Sequence, residues 1–232
     1  MVDFTKICGK IKINTKKSDR MALFENRNAY ENLTMWIFDG VGEYGIPEIK
    51  ANSVKPEKFI GCNYAKTCKK PEENCLHFFV DDYQFSRFWV KPDNYIGLLK
   101  KFYCVCSPDF STYTDFPKAI QIYNHYRKHW LAAYWQMHGI KVIPTISWSD
   151  KDSFDWCFDG EPKKSIVAVS SVGTQNNKES KRLFLSGYNE MLKRLEPETI
   201  IFYGNIPDEC MGNIIRVKAF QDKFKEARVN GW

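Results

Sequence analysis

Leu76-His77-Phe78-Phe79-Val80-Asp81-Asp82 and Phe102-Tyr103-Cys104-Val105-Cys106-Ser107-Pro108-Asp109-Phe110-Ser111 share one design, a short apolar run that ends in polar and acidic residues. Four more such runs follow: Lys141 to Ser147, Ser165 to Ser170, Thr199 to Tyr203 and Ile214 to Val217. Each is rich in β-branched or aromatic residues and bounded by turn formers, the signature of a buried strand. Helical stretches lie between them. One starts at Pro92 and runs through Leu98 and Leu99. The longest starts near Asp115 and Pro117 and stops at Gly139, with Ala119, Ile122, Tyr123, Tyr126, Trp130, Ala133 and Met137 as an apolar stripe at helical spacing. Another runs from about Lys178 to Leu195 and halts before Pro197. Strands alternating with helices imply parallel pairing through crossovers. The expected fold is α/β, a mostly parallel sheet of about six strands with crossover helices, either an open sheet or an incomplete barrel.

Ahead of this core, residues 1–75 read as an irregular, basic, cysteine-containing region packed on it, punctuated by Gly40, Gly42, Gly45, Pro47, Pro56 and Gly61. Residues 76–232 form the α/β core domain. Lys6, Lys10, Lys12, Lys16, Lys17 and Arg20 crowd the N-terminal arm and carry much of the net charge of +6. Such an arm touches phosphate backbone or is simply a solvated tail. The aromatic share of 16% calls for many rings in the core or along a groove. No stretch has the roughly 18 apolar residues of a membrane span, and the N-terminus lacks the apolar block of a secretory signal. The expected location is the cytoplasm, where the eight cysteines stay reduced.

Sites in parallel α/β folds form beyond the carboxyl ends of the strands. Asp81 and Asp82 follow the first run, Asp109 and Ser111 the second, and Trp148 and Asp150 the third. Carboxylates converging on one rim hold a divalent cation or act as general acid and base. Aspartate also favours turns and helix N-caps, so Asp82 and Asp115 suit capping as well. Ser170-Ser171-Val172-Gly173-Thr174 joins a strand to a helix and offers backbone N–H groups to an anion, without the P-loop lysine. Cys62, Cys68, Cys75 and His77 match a zinc site in ligand type but not in spacing. His125 and His129 share a helix face and bind zinc only if a third ligand approaches. Beside Arg127 and Lys128 they read as partly exposed helix histidines.

The segments His77 to Phe85 and Ser107 to Ser111 resemble the domain of unknown function 4417, found in bacteria and their phages. The similarity extends through Gln121, Asn124, Tyr126-Arg127, Gln136, Gly139, Val142-Ile143-Pro144, Trp148, Asp150, Phe158-Asp159-Gly160 and Tyr203-Gly204, covering roughly residues 45 to 210. The resemblance implies that the strand-end aspartates and Ser111 are signature residues. The cysteines lie outside the signature. Many members carry Arg where this chain has His129.

Two functional expectations follow. The first is a phage or mobile-element enzyme acting on a nucleotide or nucleic acid. In it, Asp81, Asp82, Asp109 and Asp150 hold a cation or exchange protons, and Ser111, Arg127, Trp148, Gln121 and Asn124 bind substrate. The second is a non-catalytic accessory module that engages nucleic acid or a host protein. Either would work in the cytoplasm of the host if phage-encoded.

Overall fold

The computed structural model describes residues 29–30 and 35–219. The basic arm lies outside the described residues. The chain divides into two compact units after Gly40. In the first, Ala29–Tyr30 pairs antiparallel with Met35–Trp36.

The second unit holds the sheet and its helices. Its strands are β1 (Lys58–Gly61), β2 (Asn74–His77), β3 (Cys104–Cys106), β4 (Val142–Ile143), β5 (Ile166–Ser170), β6 (Thr199–Tyr203) and β7 (Ile214–Val217). The helices are α1 (Asp82–Val90), α2 (Asp93–Leu99), α3 (Lys118–Met137) and α4 (Lys178–Leu195). β1 to β4 form one parallel sheet in chain order, and β5 to β7 form another. A parallel bridge between Thr145 and Ala168 joins them just past β4.

Sequential order makes the sheet curl. Cys75 of β2, Cys104 and Cys106 of β3, Ile143 of β4, Ile166 and Ala168 of β5, and Ile201 of β6 form one buried cluster. Phe59 of β1 and Val217 of β7 pack against the same cluster. Side chains from first and last strands can meet only if the sheet wraps round. No ladder joins β1 to β7 among the described residues, so the barrel is not closed. Alternate residues face outward, as the two-residue period requires. Val167, Val169, Ile200 and Phe202 pack there against Phe184, Tyr188, Met191 and Leu195 of α4. Phe78, just after β2, meets Phe85 and Phe88 of α1 edge-on and stacks on Trp135 of α3.

The structure departs from the sequence reading at several points. Lys58–Gly61, within the stretch read as irregular, is a strand of the sheet. Asp82 and Asp115 do not cap helices. Asp82 is the first residue of α1, and α3 starts after Pro117, with no side-chain cap on either helix. The apolar stripe of α3 is only partly its buried face, which holds Trp130 of the stripe together with polar residues. Ala119 and Tyr123 are exposed, while Gln121, Asn124, His125, Lys128 and His129 are buried. His125 and His129, read as partly exposed, are 2% and 0% exposed. The reason is the partner. This face meets carbonyls and a carboxylate, so polar side chains satisfy it better than apolar ones.

Candidate functional site

A cavity of about 870 Å³ opens at the carboxyl ends of the strands. Gly61 brings the end of β1 to it, His77 that of β2, Ser170 that of β5, Tyr203 that of β6, and Val217 that of β7. Asp109 and Ser111 enter from the loop after β3, and Asp81 and Asp82 from the start of α1. The walls are rich in rings. Phe79 stacks on Tyr203 with centroids 4.8 Å apart, and His77 lies against Tyr203 at the same distance. His77 Nδ1 accepts from the Phe79 backbone N–H at 3.3 Å, which leaves the proton on Nε2. Tyr83 and Tyr113 line the rim and are 78% and 62% exposed.

The two inner aspartates differ in surroundings. Asp82 is anchored. Its carboxylate accepts from the Ser111 backbone N–H at 3.1 Å and from the Ser111 hydroxyl at 2.9 Å. Asp109 sits deep in the molecule yet meets solvent through the cavity. Burial pushes its carboxyl up to about 7, Lys128 opposes the rise and Asp82 adds to it. The loop carrying both groups is fixed from behind. Asn124 Nδ2 donates to the Ser111 carbonyl at 2.5 Å. Arg127 donates to Asn124 Oδ1 from Nε and Nη2, and its guanidinium lies 3.8 Å over the Phe110 ring. Ser107 locks the end of β3 to β4. Its hydroxyl accepts from the Thr145 N–H and its carbonyl from the Thr145 hydroxyl, both at 2.7 Å.

Of the residues singled out in the sequence, Asp81, Asp82, Asp109, Ser111 and His77 line the cavity together. Asn124 and Arg127 lie behind its wall. Gln121 donates to the Phe116 carbonyl at 2.9 Å. Trp148 packs on Phe184, and its indole lies over Gly187 of α4. Asp150 accepts from the Asp152 N–H and caps the short turn Lys151–Asp155. Cys62, Cys68 and Cys75 do not gather with His77. Cys75 points into the curled sheet, its Sγ 3.7 Å from that of Cys106, and burial holds its thiol well above the ordinary range. Burial likewise pushes the Cys62 thiol up to about 12.

Among the described residues, one group of three His, Cys, Asp or Glu side chains brings a ligand atom of each within 4.8 Å of the others: His125, His129 and Glu161. The cavity aspartates form no such group. Glu161 went unremarked in the sequence. Its signal was its place next to Phe158-Asp159-Gly160.

A partly closed parallel α/β barrel with an acidic, aromatic mouth is the class these features define. Residues 38–221 match the family described as domain of unknown function (DUF4417), and the chain belongs to it. It is 38% identical over 177 residues to the Gene 1 protein of Mycobacterium phage L5, covering 75% of this chain and 77% of that protein. It is 36% identical over 206 residues to the Gene 1 protein of Mycobacterium phage D29, covering 87% and 76%. No solved structure matches the chain. No helix among the described residues is long and apolar enough to cross a membrane.

Proposed function

We propose that the cavity is the active site of an enzyme acting on a nucleotide or nucleic acid, with Asp109 as its general acid–base. One observation carries this reading: a deep carboxyl that titrates near neutrality and opens into a ring-lined cavity at the strand ends. A group whose ordinary value lies near 4 exchanges protons poorly at pH 7, and one near 7 does so well. Phe79, Tyr203, Tyr83 and Tyr113 offer flat faces to a base, each stacked base contributing about 1–3 kcal/mol. The carboxylates disfavour a phosphate beside them. The base therefore enters the cavity, where Asp82 accepts from an exocyclic amino group, and the phosphate turns toward Lys218 at the rim. Ser111, Asn124 and Arg127 position Asp82 and Asp109 rather than touch substrate. No cation is needed for this scheme, and the three cavity aspartates do not converge into a cation cage.

The test is a panel of nucleosides, nucleotides and single-stranded DNA and RNA, with products read by mass spectrometry for the wild type and Asp109→Asn. The expected result is turnover by the wild type that falls about 10²–10⁴-fold in the variant while binding persists. Unchanged turnover in Asp109→Asn would remove Asp109 from the chemistry. A second reading rests on the exposure of Tyr83 and Tyr113, which suits a non-catalytic base-stacking platform. Binding without turnover, insensitive to Asp109→Asn and weakened by Tyr83→Ala, would favour it.

A further inference from the structure

His125 and His129 sit one turn apart on the buried face of α3, and Glu161 approaches them from the loop that precedes β5. The hydrogen bonds fix which atoms the histidines offer. His129 Nδ1 lies 2.8 Å from the Pro47 carbonyl, and a carbonyl only accepts. Nδ1 therefore carries the proton. Nε2 is the nitrogen turned toward Glu161 Oε1, 3.0 Å away, and in the neutral ring it is the one open to a metal. By the same rule His125 Nε2 donates to the Asp159 carbonyl at 3.2 Å, which leaves its Nδ1 bare. A histidine that gives one N–H to a backbone carbonyl and keeps the other nitrogen free is oriented as metal-ligating histidines are. Glu161 supplies the second, independent sign. Its side chain is wholly buried, and Oε2 has no hydrogen-bond partner among the described residues.

We propose that His125, His129 and Glu161 bind one divalent transition-metal ion, zinc by the nature of the ligands, in a buried site of three protein ligands. Two imidazoles and a carboxylate are a zinc ligand set. At zinc–ligand distances of about 2.0–2.1 Å, tetrahedral ligand atoms stand roughly 3.3 Å apart. One ligand-capable atom of each residue lies within 4.8 Å of the others, so side-chain rotation brings the set together. Lys128 does not occupy the place. Its ammonium donates to Glu161 Oε1 at 2.8 Å and to the Thr145 carbonyl at 2.9 Å, and Oε2 remains for the metal. Acidic groups lie near the site: Asp109 is within electrostatic reach of Lys128, and Asp159 of His129. Gly160 makes the close approach possible. Its φ is +74°, and a Cβ there would stand 2.5 Å from the Pro47 oxygen and 2.8 Å from His129 Nδ1. The metal would pin α3 to the Asp159–Glu161 loop.

The test uses the full, untagged chain prepared without chelator. Zinc content is measured on the wild type, His125→Gln, Glu161→Gln and Cys68→Ser, and the metal-stripped wild type is titrated with Co²⁺. The expected result is close to one zinc per chain in the wild type and Cys68→Ser, falling toward zero in His125→Gln and Glu161→Gln. Bound Co²⁺ should show the visible bands of nitrogen and oxygen ligation without thiolate-to-cobalt charge transfer. Absence of zinc together with no cobalt band in the wild type would overturn the proposal. Thiolate bands, or zinc lost in Cys68→Ser, would overturn it by moving the metal to the cysteines. The wild-type cobalt spectrum decides the matter even if a variant fails to fold.

Discussion

Replacing Lys128 by Met tests the electrostatics of the buried face most directly. Lys128 is 1% exposed, and its ammonium has the Glu161 carboxylate and the Thr145 carbonyl as partners. The Glu161 side chain has no exposure. Methionine keeps the length and most of the packing of lysine, so little cavity forms. What remains is a buried carboxylate with one oxygen unpartnered among the described residues and the other facing His129 alone. Breaking a buried pair in this way costs about 3–5 kcal/mol. Each kcal/mol shifts Tm by about 2–4 °C in a chain of this size, so the expected drop is about 6–20 °C. Replacing both partners, Lys128→Met with Glu161→Leu, removes the stranded charge and should recover most of the loss. The assay is urea and thermal unfolding followed by circular dichroism, with chelator present so that only protein charges are read. The midpoint should move while the denaturant slope stays constant. A loss under about 1 kcal/mol in Lys128→Met, or a double variant as unstable as the sum of the singles, would refute a buried, charged pair.

Three further outcomes follow from the structure. Asp109 titrates near 7 in the folded chain and near 3.8 when unfolded, so the native state binds the extra proton between those values. Wild-type stability should therefore fall as pH rises from about 4 to 7, and Asp109→Asn should flatten that slope and gain at pH 7; parallel pH profiles would contradict this. A Cβ at Gly187 would meet the Trp148 indole at 2.2 Å, so Gly187→Ala should destabilise by about 1–3 kcal/mol despite the better helix propensity of Ala. In a Trp148→Leu background the same change should stabilise, and denaturant midpoints of the four proteins decide it. Cys62, Cys75, Cys104, Cys106, Cys157 and Cys210 are buried and Cys68 is partly exposed, so among these a native-state thiol reagent should modify Cys68 first, as peptide mapping would reveal.

Much of the fold was legible because local signals agreed with the tertiary ones. β6, β7 and α4 coincide with their sequence-read bounds, since each carries one clear period and clean stops. β1 was hidden because Lys-Phe-Ile-Gly is too short to show a period and lies among prolines and glycines. Curling was hidden for another reason. Strand order depends on which runs pair, and the Thr145–Ala168 bridge that joins the two sheets leaves no mark in composition. The strand-end rule picked out Asp81, Asp82 and Asp109, which line the cavity. It brought Asp150 along as well, although that carboxylate is taken up by its own turn. On α3 the apolar-stripe rule held for Trp130 and failed for Ala119 and Tyr123. Its buried face holds Gln121, Asn124, His125, Lys128 and His129, and the carboxylate that makes such burial affordable lies more than thirty residues away in an unpatterned loop. A polar face is buried only where its partners are fixed, so a long-range pair of this kind is invisible to periodicity and obvious in three dimensions. The same fixing joins the two proposals. Lys128 faces Glu161 on one side and acts electrostatically on Asp109, the cavity carboxyl, on the other. A metal bound at His125, His129 and Glu161 would add positive charge to that group, and should therefore draw the Asp109 titration down from about 7.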